Sequence, residues 1–227
     1  MCIRDRGVAS QRFAMSTPSR REIILVGDVS KAGPAASEWR ELARRMARGS
    51  VVLFLSAAAF QREKDSVGWL PLGTKGQFPR FPDVSIYHSE CVAKAHALFD
   101  GLQPKGIMDW DYYGPLIPHS HFQGQVPPDD VVAVSFAVGH GNIRPGGYAS
   151  GVLAGSYRCS VRPDSDRLMG TGMFFLNAFP ILENVDLHPA ADRLLLNLIN
   201  YAARSIGEPM TPLPDNFDVQ LKGIGYM

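Results

Sequence analysis

The sequence is poor in cysteine. Its 227 residues hold three, Cys2, Cys91 and Cys159, and no two form a C-x-x-C pair. That excludes a zinc ribbon and a thioredoxin-type redox site, which both need closely spaced thiols. The spacing leaves open whether Cys91 and Cys159 pair in an oxidising compartment or stay free in the core. Charge of one sign is also missing. Lys and Arg number 23, Asp and Glu 22, and the formal net charge is +1. No field is built to draw in nucleic acid or an anionic membrane surface. The longest apolar run, at 51–60, is broken by Ser56 and falls short of the roughly 18–20 residues that cross a bilayer. There are no internal repeats, and nothing in the sequence names a compartment. Neither nucleotide fingerprint occurs. The first strand–helix turn reads Gly27-Asp28-Val29-Ser30-Lys31-Ala32-Gly33-Pro34, with Pro34 where a Walker lysine would stand. No cofactor or metal is expected.

What remains is ordinary globular material, 45% hydrophobic and 20% charged, enough for one good core. Ile23-Ile24-Leu25-Val26 and Val51-Val52-Leu53-Phe54-Leu55 are unbroken apolar runs, which suit strands covered on both faces. Between them Trp39, Leu42, Ala43 and Met46 fall on one helical stripe, and Glu38, Arg40, Glu41, Arg44, Arg45 and Arg48 fill the other face. Gly49 supplies the left-handed stop. Strand, helix and strand form a βαβ unit.

A third strand is expected at 84–88, a short helix at 90–98, and an irregular excursion over 101–125. A strong strand covers 131–138. Strands at 148–158 and 169–178 flank a polar loop at 160–168. The closing helix begins at Pro189, a favoured first position, and carries Ala191, Leu194, Leu195, Leu198 and Ala202 on one stripe; Gly207 and Pro209 end it. The expected fold is an α/β open sheet of flavodoxin-like or class I amidotransferase-like layout. It has parallel strands plus an antiparallel hairpin, and helices on both faces. Residues 21–207 make the domain and 208–227 an extended tail. Met1-Cys2-Ile3-Arg4-Asp5-Arg6 resembles translated sequencing-adapter sequence, and 7–20 read as a linker or disordered arm.

Several residues are candidates for chemistry. Cys91, between an expected strand and helix, occupies the place of an elbow nucleophile. Its neighbours Glu90 and Val92 replace the small residues such a turn needs, and His96 does not face it on a helix. Asp109 and Asp111 flank Trp110, an arrangement of acids and aromatics like that of sugar-cleaving sites. His119 and His121 form H-x-H, part of a metal site without a third ligand. His140 stands between two glycines in an expected turn, and Lys94 and His96 on the expected short helix. At the sheet rim, where open sheets collect ligands, Asp28, Ser56, Glu90 and Tyr148 are the ligand-binding candidates.

A set of segments carries a resemblance. Val92 to Leu102 ends in Phe99-Asp100-Gly101-Leu102 behind His96 and Ala97. Then come Met108-Asp109-Trp110-Asp111-Tyr112-Tyr113, Leu116-Ile117-Pro118, Arg144-Pro145-Gly146-Gly147-Tyr148 and the closing helix. Their order resembles the class I glutamine amidotransferase-like, or β-galactosidase trimerisation-like, domain at the C-terminal end of bacterial glycoside hydrolases; Ala97 stands where that pattern has proline. The resemblance implies a non-catalytic accessory domain of a carbohydrate-active enzyme, acting in domain packing or oligomerisation. Its partners would be the upstream catalytic domain of the same parent, a second copy, or a carbohydrate. A stand-alone amidotransferase-like hydrolase using Cys91 and a sugar-binding module are the alternatives.

Overall fold

The structure, a computed structural model, describes residues 9–16, 18–27, 36–80, 89–103, 106–139, 147–162, 166–205 and 207–227. In chain order the strands are β1 (Ile23–Val26), β2 (Val51–Phe54), β3 (Lys75–Gln77), β4 (Ser89–Ala93), β5 (Gly106–Ile107), β6 (Gln123–Gln125), β7 (Asp130–Gly139), β8 (Gly147–Arg158) and β9 (Met173–Asn177). The helices are α1 (Ala36–Ala47), α2 (Trp110–Tyr113), α3 (Ile181–Asn184), α4 (Pro189–Ala202) and α5 (Phe217–Gly223). Seven strands form one mixed sheet in the order β1-β2-β9-β8-β7-β4-β5, and β3 and β6 pair in a small ribbon.

The sheet has two halves. β1, β2 and β9 run parallel. β9, β8, β7, β4 and β5 are each antiparallel to the next. The antiparallel part is therefore wider than the expected hairpin of β8 and β9, because β7, β4 and β5 extend it. The predicted parallel strands appear where the apolar runs lie, and every residue of β2 is at most 3% exposed. The expected strand at 84–88 lies outside the described residues. The expected helix at 90–98 is instead β4, followed by a 3-10 turn at Ala97–Phe99. Cys91 and Ala93 are buried while Glu90 and Val92 are half-buried. That period of two, matched to β7, overrides local helix preference.

Side chains at registered positions of adjacent strands share a face, and successive residues alternate. Phe54 stacks with Trp39 of α1 at 5.9 Å. Phe175, which is level with Leu53, meets Tyr201 of α4 at 6.1 Å. Leu53 and Phe54 point oppositely, so α1 and α4 cover opposite faces. The α1 face carries an aromatic core: Trp39 stacks on Trp69 at 5.5 Å, and Tyr157 on Phe174 at 4.6 Å.

Two flanking segments differ from expectation. Glu41 and Arg45, assigned from sequence to the solvent side of α1, are each 4% exposed. Arg45 donates to Glu41 and Glu22 at 2.9 Å each, and to the carbonyls of Ala14 and Ser16, and lies 4.3 Å over the Phe13 ring. The described part of the N-terminal arm thus lies on α1, and this burial is sustained because the guanidinium's donors are used. The tail, expected to be extended, turns into α5. Phe217, Leu221, Ile224 and Tyr226 join the core, and the Tyr226 hydroxyl donates to the Trp69 carbonyl at 2.5 Å. Among the described residues no helix is long and apolar enough to cross a membrane.

Candidate functional site

The strongest candidate is a cleft of about 380 Å³ beyond the carboxyl ends of β2 and β9. Ligands collect at such strand ends in open sheets. Three segments meet there. Behind β2, Ser56 begins a 3-10 turn over Ala57–Phe60, and its Oγ accepts the Ala58 N–H at 3.2 Å. Behind β9, Asn177 is fully buried and donates to the carbonyls of Leu55 at 3.3 Å and Phe179 at 2.9 Å, while its Oδ1 accepts the Phe179 N–H at 3.1 Å. That amide ties the two strand ends together and fixes the floor. The third segment, 114–120, is anchored by Asn184 of α3, which donates to the carbonyls of Pro115 at 3.0 Å and Pro180 at 2.8 Å.

The lining is mixed. Phe78 is half-buried and braced by Phe122, ring centroids 4.4 Å apart. Ser56, His119, Ser120 and Glu183 supply the side-chain polar groups. No lysine or arginine occurs among the described lining residues. Ser56 has an extended backbone, φ −144° and ψ 137°, so it caps a turn and is not strained into an elbow.

Of the four rim candidates, Ser56 and Glu90 have described side chains. Ser56 lines the cleft. Glu90 lies on β4, level with Phe136, and is not part of the cleft lining. Asp28 lies outside the described residues, and of Tyr148 only the backbone is placed, paired with Val138. His140 also falls outside the described residues.

Cys91 occupies the middle of β4 opposite Ser135, not a strand-to-helix bend. It is 5% exposed, and burial, with the Glu90 charge beside it, pushes its thiol up to about 12. A nucleophile needs the opposite shift. His96 serves elsewhere: its Nδ1 accepts the Leu98 N–H at 3.1 Å, and its Nε2 lies 3.5 Å from Asp130. Lys94 pairs with the other oxygen of Asp130. Cys159 is free, like Cys91.

Two other sequence pairs separate into structural roles. Asp109 caps α2, its Oδ1 accepting the Asp111 N–H at 2.7 Å; the segment expected to be irregular holds a helical turn here. In H-x-H, His119 is exposed at the cleft while His121 is 1% exposed and 3.0 Å from the Ser135 hydroxyl through Nδ1. Burial holds the His121 imidazole below its ordinary pKa. Sequence spacing missed the His121–Ser135 pair, since the two residues lie on different segments joined only by the sheet. No three His, Cys, Asp or Glu side chains are grouped to hold a metal among the described residues.

A second surface stands out on one face of the antiparallel half. Ile107, Val92, Val134 and Val152 lie level across β5, β4, β7 and β8, so they share one face. Ile107 is 63% exposed, and the three valines are half-buried. Phe136, also half-buried, is on the same face between Glu90 and Ser150. No family model, no curated protein and no solved structure matches this chain.

Proposed function

We propose that this chain is a non-catalytic accessory domain, of class I amidotransferase-like or flavodoxin-like architecture, in a carbohydrate-active parent enzyme. Its work is to pack against another domain of that parent. The observation that carries the reading is the apolar row Ile107, Val92, Val134 and Val152 with Phe136 beside it. A strip of this kind on one sheet face is what a domain interface uses, with aromatic and branched residues at its centre. The sequence order described above supplies the carbohydrate-active context. The hydrolase alternative is weakened by Cys91, whose thiol is buried and raised to about 12.

The test is made on the isolated chain. It is expected to turn over neither glycosides nor glutamine, and to bind a hydrophobic dye through the open face. Phe136→Asp is expected to abolish dye binding while the fold, followed by circular dichroism, survives. Turnover of either substrate that disappears in Cys91→Ala would overturn the reading. So would dye binding indifferent to Phe136→Asp.

A further inference from the structure

The cleft beyond β2 and β9 has a chemistry of its own. Its described lining holds no lysine or arginine, so a phosphate or carboxylate ligand would find no guanidinium or ammonium partner. Its one acid, Glu183, is exposed on α3, where water screens an ion pair to little net worth. An ammonium ligand would therefore gain little there. The remaining side chains offer hydrogen-bonding groups of both kinds. The Ser56 hydroxyl already accepts the Ala58 N–H, which leaves its hydrogen to donate. Ser120 and His119 add donor and acceptor capacity, and Glu183 accepts. Beside them lie Phe78, held by Phe122 at 4.4 Å, and the apolar ring of Pro118. At about 380 Å³ the cleft is at the small end of the range of roughly 300–1,000 Å³ for ligand sites.

We infer that this cleft binds a neutral, hydroxyl-rich ring with one apolar face, a pyranose or a ring of that size. The ring's C–H face lies against Phe78, and its hydroxyl edge meets Ser56, His119, Ser120 and Glu183. The inference deepens the carbohydrate reading above but stands on the cleft's own groups, not on the open sheet face. The cleft is partly open to solvent, so affinity is expected in the millimolar range.

The experiment is a titration of the isolated chain, observed by amide chemical-shift changes, with galactose, glucose, mannose and myo-inositol. Glucosamine and glucuronate are the charged comparisons. The expected result is saturable shifts with the neutral rings. Glu183→Gln is expected to weaken binding about 3-fold to 10-fold, and Phe78→Ala at least 10-fold. Val161→Ser, at a position 83% exposed and outside the cleft lining, is expected to leave binding unchanged. If Phe78→Ala fails to fold, Glu183→Gln carries the test, because its side chain is exposed. No saturable shift up to 50 mM (roughly ten times a weak millimolar Kd) would overturn the inference. Preference for glucosamine lost in Glu183→Gln, preference for glucuronate, or neutral-sugar binding indifferent to both cleft variants would do so equally. A chain that binds no sugar yet still shows the Phe136-dependent open face leaves the packing role standing and removes only the ligand.

Discussion

The two halves of the sheet solve burial differently. Around β2 the parallel strands are covered on both faces, by α1 on one and α4 on the other, and Val52, Leu53 and Phe54 are fully buried. Around β7 the antiparallel strands are closed on one face only. Ala133, Ser135 and Ala137 are at most 1% exposed, while Val134 and Phe136 between them stay half-buried. The first half is closed on both faces; the second leaves one face partly open. Parallel strands need cover on both sides because their crossovers place helices there, whereas antiparallel strands can leave one side free.

The largest expected effect contrasts two phenylalanines. Phe54→Ala removes a ring packed against Trp39, Phe60 and Phe174, and is expected to destabilise by about 3–5 kcal/mol. Phe136→Ala, on the open face, is expected to lose only about 1 kcal/mol. Denaturant titration of both variants measures the difference. Equal losses would mean that the second face is closed as well.

Next comes the arm. Arg45 is the link between α1, Glu22 and the carbonyls at 14 and 16. Arg45→Ala leaves the Glu41 carboxylate, 6% exposed as a side chain, with Arg44 at 3.6 Å as its ion-pair partner, and is expected to cost about 3 kcal/mol. Arg45→Ala with Glu41→Ala together should cost less than Arg45→Ala alone, since the poorly compensated buried charge is gone. A purely additive pair would remove this account.

A smaller effect tests the antiparallel half from inside. A Cβ on Gly151 would stand 2.1 Å from Cδ2 of His121, so the imidazole lies flat on β8 only because no side chain is there. Gly151→Ala is expected to destabilise by about 1–3 kcal/mol through forced repacking, with loss of the His121–Ser135 hydrogen bond. Denaturant titration measures the loss of stability, and imidazole nitrogen NMR would follow the hydrogen bond. Gly151→Ala with unchanged stability would place His121 elsewhere.

Much of the covered half was legible in the sequence. The runs 23–26 and 51–55, the stripe Trp39, Leu42, Ala43 and Met46, and the closing helix at Pro189 all carry a period that burial enforces. Its flanks were not. Arg45 carries a charge, so the pattern sent it to water, and Glu22, Glu41 and the arm's carbonyls together explain its place. The α5 tail is short, and its apolar residues make sense only beside Trp39 and Trp69. The antiparallel half was half legible. The strand at 131–138 and the antiparallel pairing of the next two were plain, but β4 was mistaken for a helix because its alternation is short and its partner is distant in sequence. The cleft was least visible. Of its polar groups only Ser56 was singled out as a ligand candidate, since a site at strand ends is assembled from loops without period, and His119 drew notice for a different chemistry.

The smallest expected effect is a pH dependence that belongs to the antiparallel half. His121 and His96 both have pKa values held below the ordinary 6.5, first of all by burial. Around His121 stand Ser135 and Gln123. Around His96 stand Asp130 and Asp100, which favour the charged form, and Lys94 and Arg204, which oppose it. In the unfolded chain each imidazole takes up its proton near pH 6.5, while the folded protein resists. Below that pH the unfolded state binds more protons, so stability rises with pH and falls as pH drops from 6.5 toward the lowered folded values. His121→Gln is expected to flatten this acid slope in denaturant midpoints, and His96→Gln to flatten it less, because Asp100 and Asp130 already offset part of its burial. An acid slope unchanged in His121→Gln would mean that His121 is reached by water and that the buried face of the antiparallel half opens more readily than its packing implies.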